Sequence, residues 1–157
     1  ELPSLRDKFL TIGMAKVSTS AAEAFELGFY KKGRDKYVVN QERQIAEAKT
    51  AVLDMANAGY TGPKERKDIR VLGRQGLGMV YAGAYTMYSG KYISEHDKLI
   101  SEKLGYVLCG GDLSNKTMVS EQYLLNLERE AFLSLLGEKK TLERIQSILT
   151  TGKPLRN

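Results

Sequence analysis

The chain is poor in the residue types that usually build reactive, metal-binding or membrane-spanning structures. It has one cysteine, one histidine, three prolines and no tryptophan among 157 residues. The single cysteine, Cys109, excludes an internal disulfide and fits a reducing cytoplasm. One histidine and one cysteine cannot supply the clustered ligands of a zinc site, so we expect no metal. No apolar run approaches the roughly 18 residues that span a bilayer, so we expect no membrane partner.

The amino-acid composition is that of an ordinary globular protein. The hydrophobic fraction is 42% and the charged fraction 27%, which is typical of folded rather than disordered sequences. The net charge of +5 is modest. Positive and negative residues are interspersed, and no basic block indicates a nucleic-acid partner. A small ligand that carries phosphate would suit such a surface.

Hydrophobic spacing predicts a mainly α-helical protein. The predicted helices run approximately over residues 20–28, 40–58, 71–88, 94–110, 120–137 and 141–149. The first begins at a capping box, in which the side chains of Ser20 and Glu23 each bond the other's backbone amide, and Ser94 with Asp97 is a second cap signal. Residues 34–39 form the one predicted extended stretch, because they are rich in β formers.

Residues 60–67 are the best candidate boundary in the chain. This stretch contains Gly62 and Pro63 within a cluster of charged residues, a composition typical of linkers. We therefore predict a first segment over residues 1–59, a linker over 60–67 and a helical C-terminal domain over 68–157.

Four glycines, Gly73, Gly76, Gly78 and Gly83, lie within the helix predicted over residues 71–88. The first three have the spacing G-x-x-G-x-G rather than the G-x-G-x-x-G of dinucleotide sites, and no clear strand is predicted before them. We therefore expect the glycines to serve a turn or the close packing of a neighbouring helix rather than a nucleotide.

The remaining candidates for chemistry do not form a catalytic set. His96 would need a nucleophile and an orienting acid, and its sequence neighbours do not face it on a helix, so we expect a surface residue. Cys109 ends an apolar stripe and is expected in the core. Glu128 and Glu130 point to different faces of one helix, which disfavours paired-carboxylate chemistry.

The closing residues resemble a known family. Residues 124–136 contain an E-R-E-A-F helix, residues 141–149 form a last helix, and Gly152-Lys153-Pro154 follows. This arrangement resembles the end of the enoyl-CoA hydratase/isomerase (crotonase) family, and residues 17–29 resemble an upstream turn and helix of those enzymes. A more specific similarity, to the end of the bacterial fused 3-hydroxyacyl-CoA dehydrogenases of fatty-acid β-oxidation, is carried by residues 93–97, 105–111, 121–125 and 152–157.

The resemblance implies the helical C-terminal segment of a crotonase-type fold. Residues 1–59 would be the C-terminal part of the crotonase core, and the glycine-rich helix with the helix after Ser94 would be an inserted pair. The catalytic carboxylates and the NAD fingerprint of the family precede the matched segments, so the resemblance implies no catalytic residue in this chain. The parent enzyme would use NAD and a CoA thioester substrate, whereas this segment would require no cofactor.

The resemblance also implies two contacts with CoA. In that family an aromatic residue of the penultimate helix and a lysine of the tail reach the adenine and phosphates, and the matching residues are Phe132 and Lys153. The usual tail E-K-R-K-P reads T-T-G-K-P over residues 150–154, so Lys153 matches only the second lysine. Because helical apolar stripes are mostly core, we expect core packing for Phe132 in preference to ligand contact.

The implied partners are acyl-CoA, the rest of the parent chain and further copies of it in a homo-oligomer. Two other interpretations stay open. The apolar stripes could make the chain a non-enzymatic helical module that dimerises, because large exposed apolar patches drive association. Alternatively, Tyr81, Tyr85 and Tyr88 could line a small-ligand site on the glycine-rich helix.

Overall fold

Most of the chain is helical in the computed structural model, which describes residues 1–157. The elements are α1 (Leu2–Gly13), α2 (Ala21–Glu26), a 3₁₀-helix (Gln41–Arg43), α3 (Gln44–Asn57), β1 (Ile69–Val71), α4 (Arg74–Ser89), α5 (Glu95–Leu108), β2 (Thr117–Val119), α6 (Glu121–Leu136) and α7 (Lys139–Thr151). The prediction of a mainly α protein is confirmed. None of these helices combines the length and the apolar character needed to cross a membrane.

The chain forms two compact units. The larger unit combines Glu1–Ala15 with Glu65–Asn157, and the smaller unit is Lys16–Lys64. Helix α1, which the sequence pattern did not predict, therefore belongs with the C-terminal helices, although the predicted boundary at residues 60–67 places residues 1–59 in a separate first segment. The assignment of residues 1–59 to a crotonase core stays a prediction.

Helices α4 and α5 pack against each other at the centre of the larger unit. Gly105 of α5 lies so close to α4 that a Cβ added to it would be only 3.0 Å from the Cβ of Val80. Gly76 of α4 lies against Cys109, and an added Cβ would be 2.7 Å from its Sγ. The packing role predicted for the glycine-rich helix is therefore confirmed at Gly76.

Two other glycines of α4, Gly78 and Gly83, have no close neighbour. No heavy atom outside their local backbone lies within 4 Å of a Cβ built at either position. The packing role predicted for them is wrong within this chain, because both lie on the exposed side of α4 whereas Gly76 is buried.

Two short strands lie beside this helix pair. Strands β1 and β2 are antiparallel, with Ile69 opposite Val119 and Val71 opposite Thr117. The segment just before α4 is therefore a strand and a turn, and the helix begins three residues later than the sequence predicts. Val71 is buried against Gly110, whose φ of 79° and close neighbour both favour glycine.

Local capping decides where the helices start. At α5 the Asp97 amide donates to Ser94 Oγ at 3.1 Å and the Ser94 amide donates to Asp97 Oδ2 at 3.0 Å, so the cap predicted at Ser94 is confirmed and forms a full capping box. At α2 the Glu23 amide donates to Ser20 Oγ at 3.1 Å. The Glu23 carboxylate, however, accepts from the Thr19 amide at 2.7 Å instead of bonding Ser20, so only half of that box is as predicted.

The smaller unit buries little of its surface. Ala24 is its one buried residue, and α3 has none. The apolar residues whose spacing predicts a helix over residues 40–58 are on the surface, where Ile45 is 80% and Val52 64% exposed. The extended stretch predicted over residues 34–39 is not a strand, because it has no partner and begins in a turn that Asp35 closes by accepting from the Lys31 amide at 2.7 Å.

Candidate functional site

Phe132 lies on α6 with 55% of its surface exposed. The buried stripe of α6 holds Leu127 and Ala131, which are about one helical turn apart. Phe132 follows Ala131 by one residue and therefore lies about 100° around the helix from this stripe. The expectation of core packing for Phe132 is wrong within this chain, and its ring is available to another molecule.

Lys153 follows the left-handed residue that ends α7. Gly152 has a φ of 67°, and its amide donates to the Ile148 carbonyl at 2.9 Å, so the chain turns away from the helix at this point. Ser147 Oγ then donates to the Lys153 carbonyl at 3.0 Å, which holds the backbone of the lysine beside the last turn. The Lys153 side chain is exposed and forms no ion pair.

A network around Arg144 joins α5, α7 and the end of the chain. Arg144 Nη1 donates to Asp97 Oδ1 at 2.7 Å, and its Nε donates to Asn157 Oδ1 at 2.8 Å. The Arg144 and Asp97 side chains are only 17% and 20% exposed. Burial by itself would raise the pKa of Asp97, but hydrogen bonds from Arg144 and Ser94 outweigh it and lower that pKa. We call these residues the C-terminal clamp.

The C-terminal clamp is the feature of this region that sequence reasoning missed. The available signal was Arg144 itself, a charged residue beside the apolar Leu142 and Ile145, which lie on one stripe of the helix predicted over residues 141–149. A charged residue near such a stripe indicates a buried partner, because an unpaired buried charge is costly. The partner, Asp97, lies 47 residues earlier in the chain, so sequence spacing could not identify it.

His96 is buried, which corrects the expectation of a surface residue. Only 4% of it is exposed, and its Nε2 lies 2.9 Å from Thr141 Oγ1 at the start of α7. The first turn of α5 would be open in an isolated helix, but α7 packs over it. Burial lowers the pKa of His96, and the positive charges of Arg144 and Lys140 lower it further, which favours a neutral imidazole. No carboxylate is hydrogen-bonded to the ring, so the imidazole lacks the orienting acid that a catalytic base would need.

Cys109 lies in the core, as predicted. It is fully buried, and burial raises the pKa of its thiol to about 11. Because the thiolate is the reactive form of cysteine, this residue is unsuited to nucleophilic chemistry near neutral pH.

The glycine-rich turn before α4 does not fit NAD. A strand does precede it, which the sequence did not predict, but β1 pairs antiparallel rather than in a βαβ unit. The space beside Gly73 is taken by the Leu113 carbonyl, and the Arg74 amide at the start of α4 donates to that carbonyl at 2.8 Å. The Arg74 amide and the space beside Gly73, which a pyrophosphate would use, are therefore already taken by the protein.

The other side chains singled out by sequence lie on the surface. Glu128 and Glu130 are exposed, and no group of histidine, cysteine and acidic residues could hold a metal. Among the tyrosines of α4, the rings of Tyr85 and Tyr88 lie 5.9 Å and 5.7 Å from the Lys98 ammonium, within cation–π range.

Three shallow clefts lie on the larger unit. The first, of about 430 Å³, separates the start of α5 from the start of α7. The second, of about 520 Å³, lies where α4 ends and α5 begins. The third, of about 620 Å³, runs along α7. Neither Phe132 nor Lys153 lines any of them, so the structure does not bring the two predicted CoA contacts into one of these clefts.

Comparison with known proteins connects the chain with part of a longer dehydrogenase. It is 46% identical over 149 residues, or 95% of its length, to a protein of Bacillus subtilis (strain 168) named probable 3-hydroxyacyl-CoA dehydrogenase. The match covers 19% of that relative, so the chain spans about a fifth of its length. No family model matches the chain. No solved structure matches it. The predicted similarity to these dehydrogenases is confirmed, and the hydratase half stays a prediction.

Proposed function

We propose that this chain is the C-terminal helical segment of a fused 3-hydroxyacyl-CoA dehydrogenase and enoyl-CoA hydratase. In the parent enzyme the hydratase adds water across a trans-2-enoyl-CoA. The dehydrogenase then passes a hydride from C3 of the 3-hydroxyacyl-CoA to NAD and releases the hydroxyl proton, which leaves the 3-ketoacyl-CoA. The observation that carries the proposal is the 46% identity over nearly the whole chain to a protein with the dehydrogenase name.

The contribution of the segment to the parent is structure and assembly. Helix α7 exposes apolar residues that the complete parent enzyme would be expected to bury. Leu149 is 77% exposed, and Leu142 and Ile148 are also on the surface. Large exposed apolar patches mark surfaces that bind another protein surface. The rest of the parent chain, or another subunit of it, would cover this stripe.

The segment also contributes to the CoA pocket through Phe132 and Lys153. An exposed aromatic ring can stack on adenine, and an exposed ammonium without an ionic partner can pair with phosphate at little desolvation cost. The pocket would be completed by the parent chain, because the two residues do not share a cleft within this chain.

Catalysis belongs to other parts of the parent enzyme. The hydratase reaction needs an acid, a base and donors that hold the developing enolate charge. In this chain the buried His96 bonds only to a threonine hydroxyl, and the thiol of Cys109 stays protonated. These two environments support a segment that binds and assembles without performing the chemistry itself.

The proposal is tested by assays on the purified chain. We expect neither hydration of crotonyl-CoA nor reduction of NAD with 3-hydroxybutyryl-CoA. Titration calorimetry with acetoacetyl-CoA should show weak binding that Phe132→Ala and Lys153→Gln each reduce. The matched controls are Phe29→Ala and Lys67→Gln, which remove an exposed ring and an exposed ammonium from other places. Turnover would reveal an acid–base site among these residues, and equal effects of test and control variants would overturn the CoA contacts.

A second candidate function is a non-enzymatic module that dimerises through the exposed stripe of α7. Light scattering should then show a mass that rises from monomer to dimer with concentration, and Leu149→Lys should keep the chain monomeric. Lys139→Leu adds an apolar side chain to α7 without removing one and serves as the control. A wild-type chain that remains monomeric from micromolar to millimolar concentration would exclude this candidate.

A further inference from the structure

The cleft where α4 ends and α5 begins combines aromatic and cationic side chains. Its volume is about 520 Å³, and its walls include Tyr88, Tyr92, Lys91 and Arg156. We call it the tyrosine cleft. Tyr92 is 79% exposed and therefore presents most of its ring to solvent. An exposed ring and two cations in the walls of one cleft suit a ligand that has both a planar ring and a negative charge.

Lys91 reaches this cleft from an unusual backbone position. Its φ is +60°, in the left-handed region that glycine normally occupies at the end of a helix. The turn is held by the Tyr92 amide, which donates to the Met87 carbonyl at 2.9 Å, and by the Lys91 amide, which donates to the Tyr88 carbonyl at 2.9 Å. Side chains kept in such positions against the backbone preference are concentrated at functional sites.

The charges of the tyrosine cleft favour an anion. Its one carboxylate is Asp97, which already pairs with Arg144 at 2.7 Å. Lys91 and Arg156 have no ionic partner in the chain. The backbone next to Arg156 is fixed, because Arg144 donates to the side-chain oxygen and the backbone oxygen of Asn157 at 2.8 Å and 3.1 Å. The C-terminal clamp thus holds the last residues beside the start of α5.

We propose that the tyrosine cleft binds a phosphorylated nucleotide. Lys91 and Arg156 take the phosphate, and the exposed face of Tyr92 stacks on the base. A free nucleotide and the nucleotide part of a larger cofactor share this chemistry. The inference goes beyond the proposed function and does not rest on it, because neither Phe132 nor Lys153 lines this cleft.

The first test is titration calorimetry of ADP into the chain at low ionic strength. Lys91→Gly removes the ammonium and suits the left-handed backbone, so the fold should persist. We expect this variant and Arg156→Gln each to bind roughly tenfold more weakly, the scale of one lost charge-assisted hydrogen bond. Lys67→Gln, which removes an exposed lysine elsewhere, should leave the affinity unchanged. Absence of ADP binding to the wild type, or equal binding by all four proteins, would overturn the proposal.

A second set of ligands tests the base contact and identifies the source of the nucleotide. Inorganic phosphate and adenosine should each bind more weakly than ADP, and Tyr92→Ala should lower affinity for ADP but not for phosphate. Phosphate binding as tight as that of ADP would overturn the stacking role.

Titration with CoA identifies the source of the nucleotide. CoA binding that Lys91→Gly weakens would point to a cofactor, and ADP binding without CoA binding would point to a free nucleotide. Phe132→Ala and Lys153→Gln should not change ADP affinity, which separates this site from the proposed CoA contacts.

Discussion

The close approach of α4 and α5 makes Gly105 sensitive to a single added methyl group. The Cβ of Gly105→Ala would meet Val80 Cγ1 and would lie 3.0 Å from Val80 Cβ. A valine in a helix has one strongly preferred χ1 rotamer, so Val80 cannot easily turn away. The two helices would have to move apart, which disturbs the buried centre of the larger unit.

The expected magnitude follows from two opposing effects. Alanine is about 1 kcal/mol better than glycine in a helix interior. Overpacking a well-filled core costs about 1 to 3 kcal/mol. We therefore expect Gly105→Ala to lower the free energy of unfolding by about 1 kcal/mol. Gly83→Ala is the matched control, because its new Cβ meets no neighbour, and it should raise that free energy by about 0.5 to 1 kcal/mol.

Urea denaturation followed by circular dichroism would measure the change in the free energy of unfolding of each variant. In thermal denaturation of a chain of this length, the Tm values of the two variants should differ by roughly 4 to 8 °C and lie on opposite sides of the wild-type Tm. Repeating Gly105→Ala in a Val80→Ala background should remove most of its cost, because the clashing methyl groups are gone. If Gly105→Ala stabilised the protein as much as Gly83→Ala does, the close contact between α4 and α5 would be refuted.

Three further predictions concern the buried polar groups and the thiol. Arg144→Met should lower the free energy of unfolding by about 2 kcal/mol, because it leaves Asp97 half-buried without its partner. Arg74→Met, which breaks an exposed pair, should cost under about 1 kcal/mol, and equal costs in denaturation would contradict the clamp. Because the folded pKa of His96 lies below its unfolded value near 6.5, its contribution to stability is complete above that pH and is lost as pH falls below it. His96→Gln should flatten the fall in Tm between about pH 6.5 and 5, and an unchanged profile would exclude this role. Cys109 should react with a thiol reagent only as fast as the protein unfolds, and rapid labelling of the native chain would show that it is accessible.

Helix ends were predictable because their signals are local. Ser94 and Asp97 form their capping box three residues apart, and Ser120 accepts from the Tyr123 amide in the same way. Gly152 ends α7 in the left-handed conformation that few other residues adopt without strain. Such contacts lie within about one turn of chain, so spacing alone is enough to identify them.

The sequence by itself therefore determined the helical class, most helix boundaries, the core position of Cys109 and the similarity to a dehydrogenase. Only the tertiary structure decided that His96 is buried, that Phe132 is exposed and that Arg144 closes the C-terminal clamp. The partners of His96 and Arg144 lie 45 and 47 residues away. Hydrophobic periodicity indicates which face of a helix is apolar, but it does not say which helix, if any, covers that face. Burial and long-range pairing depend on that choice, which is made by the packing of the whole chain.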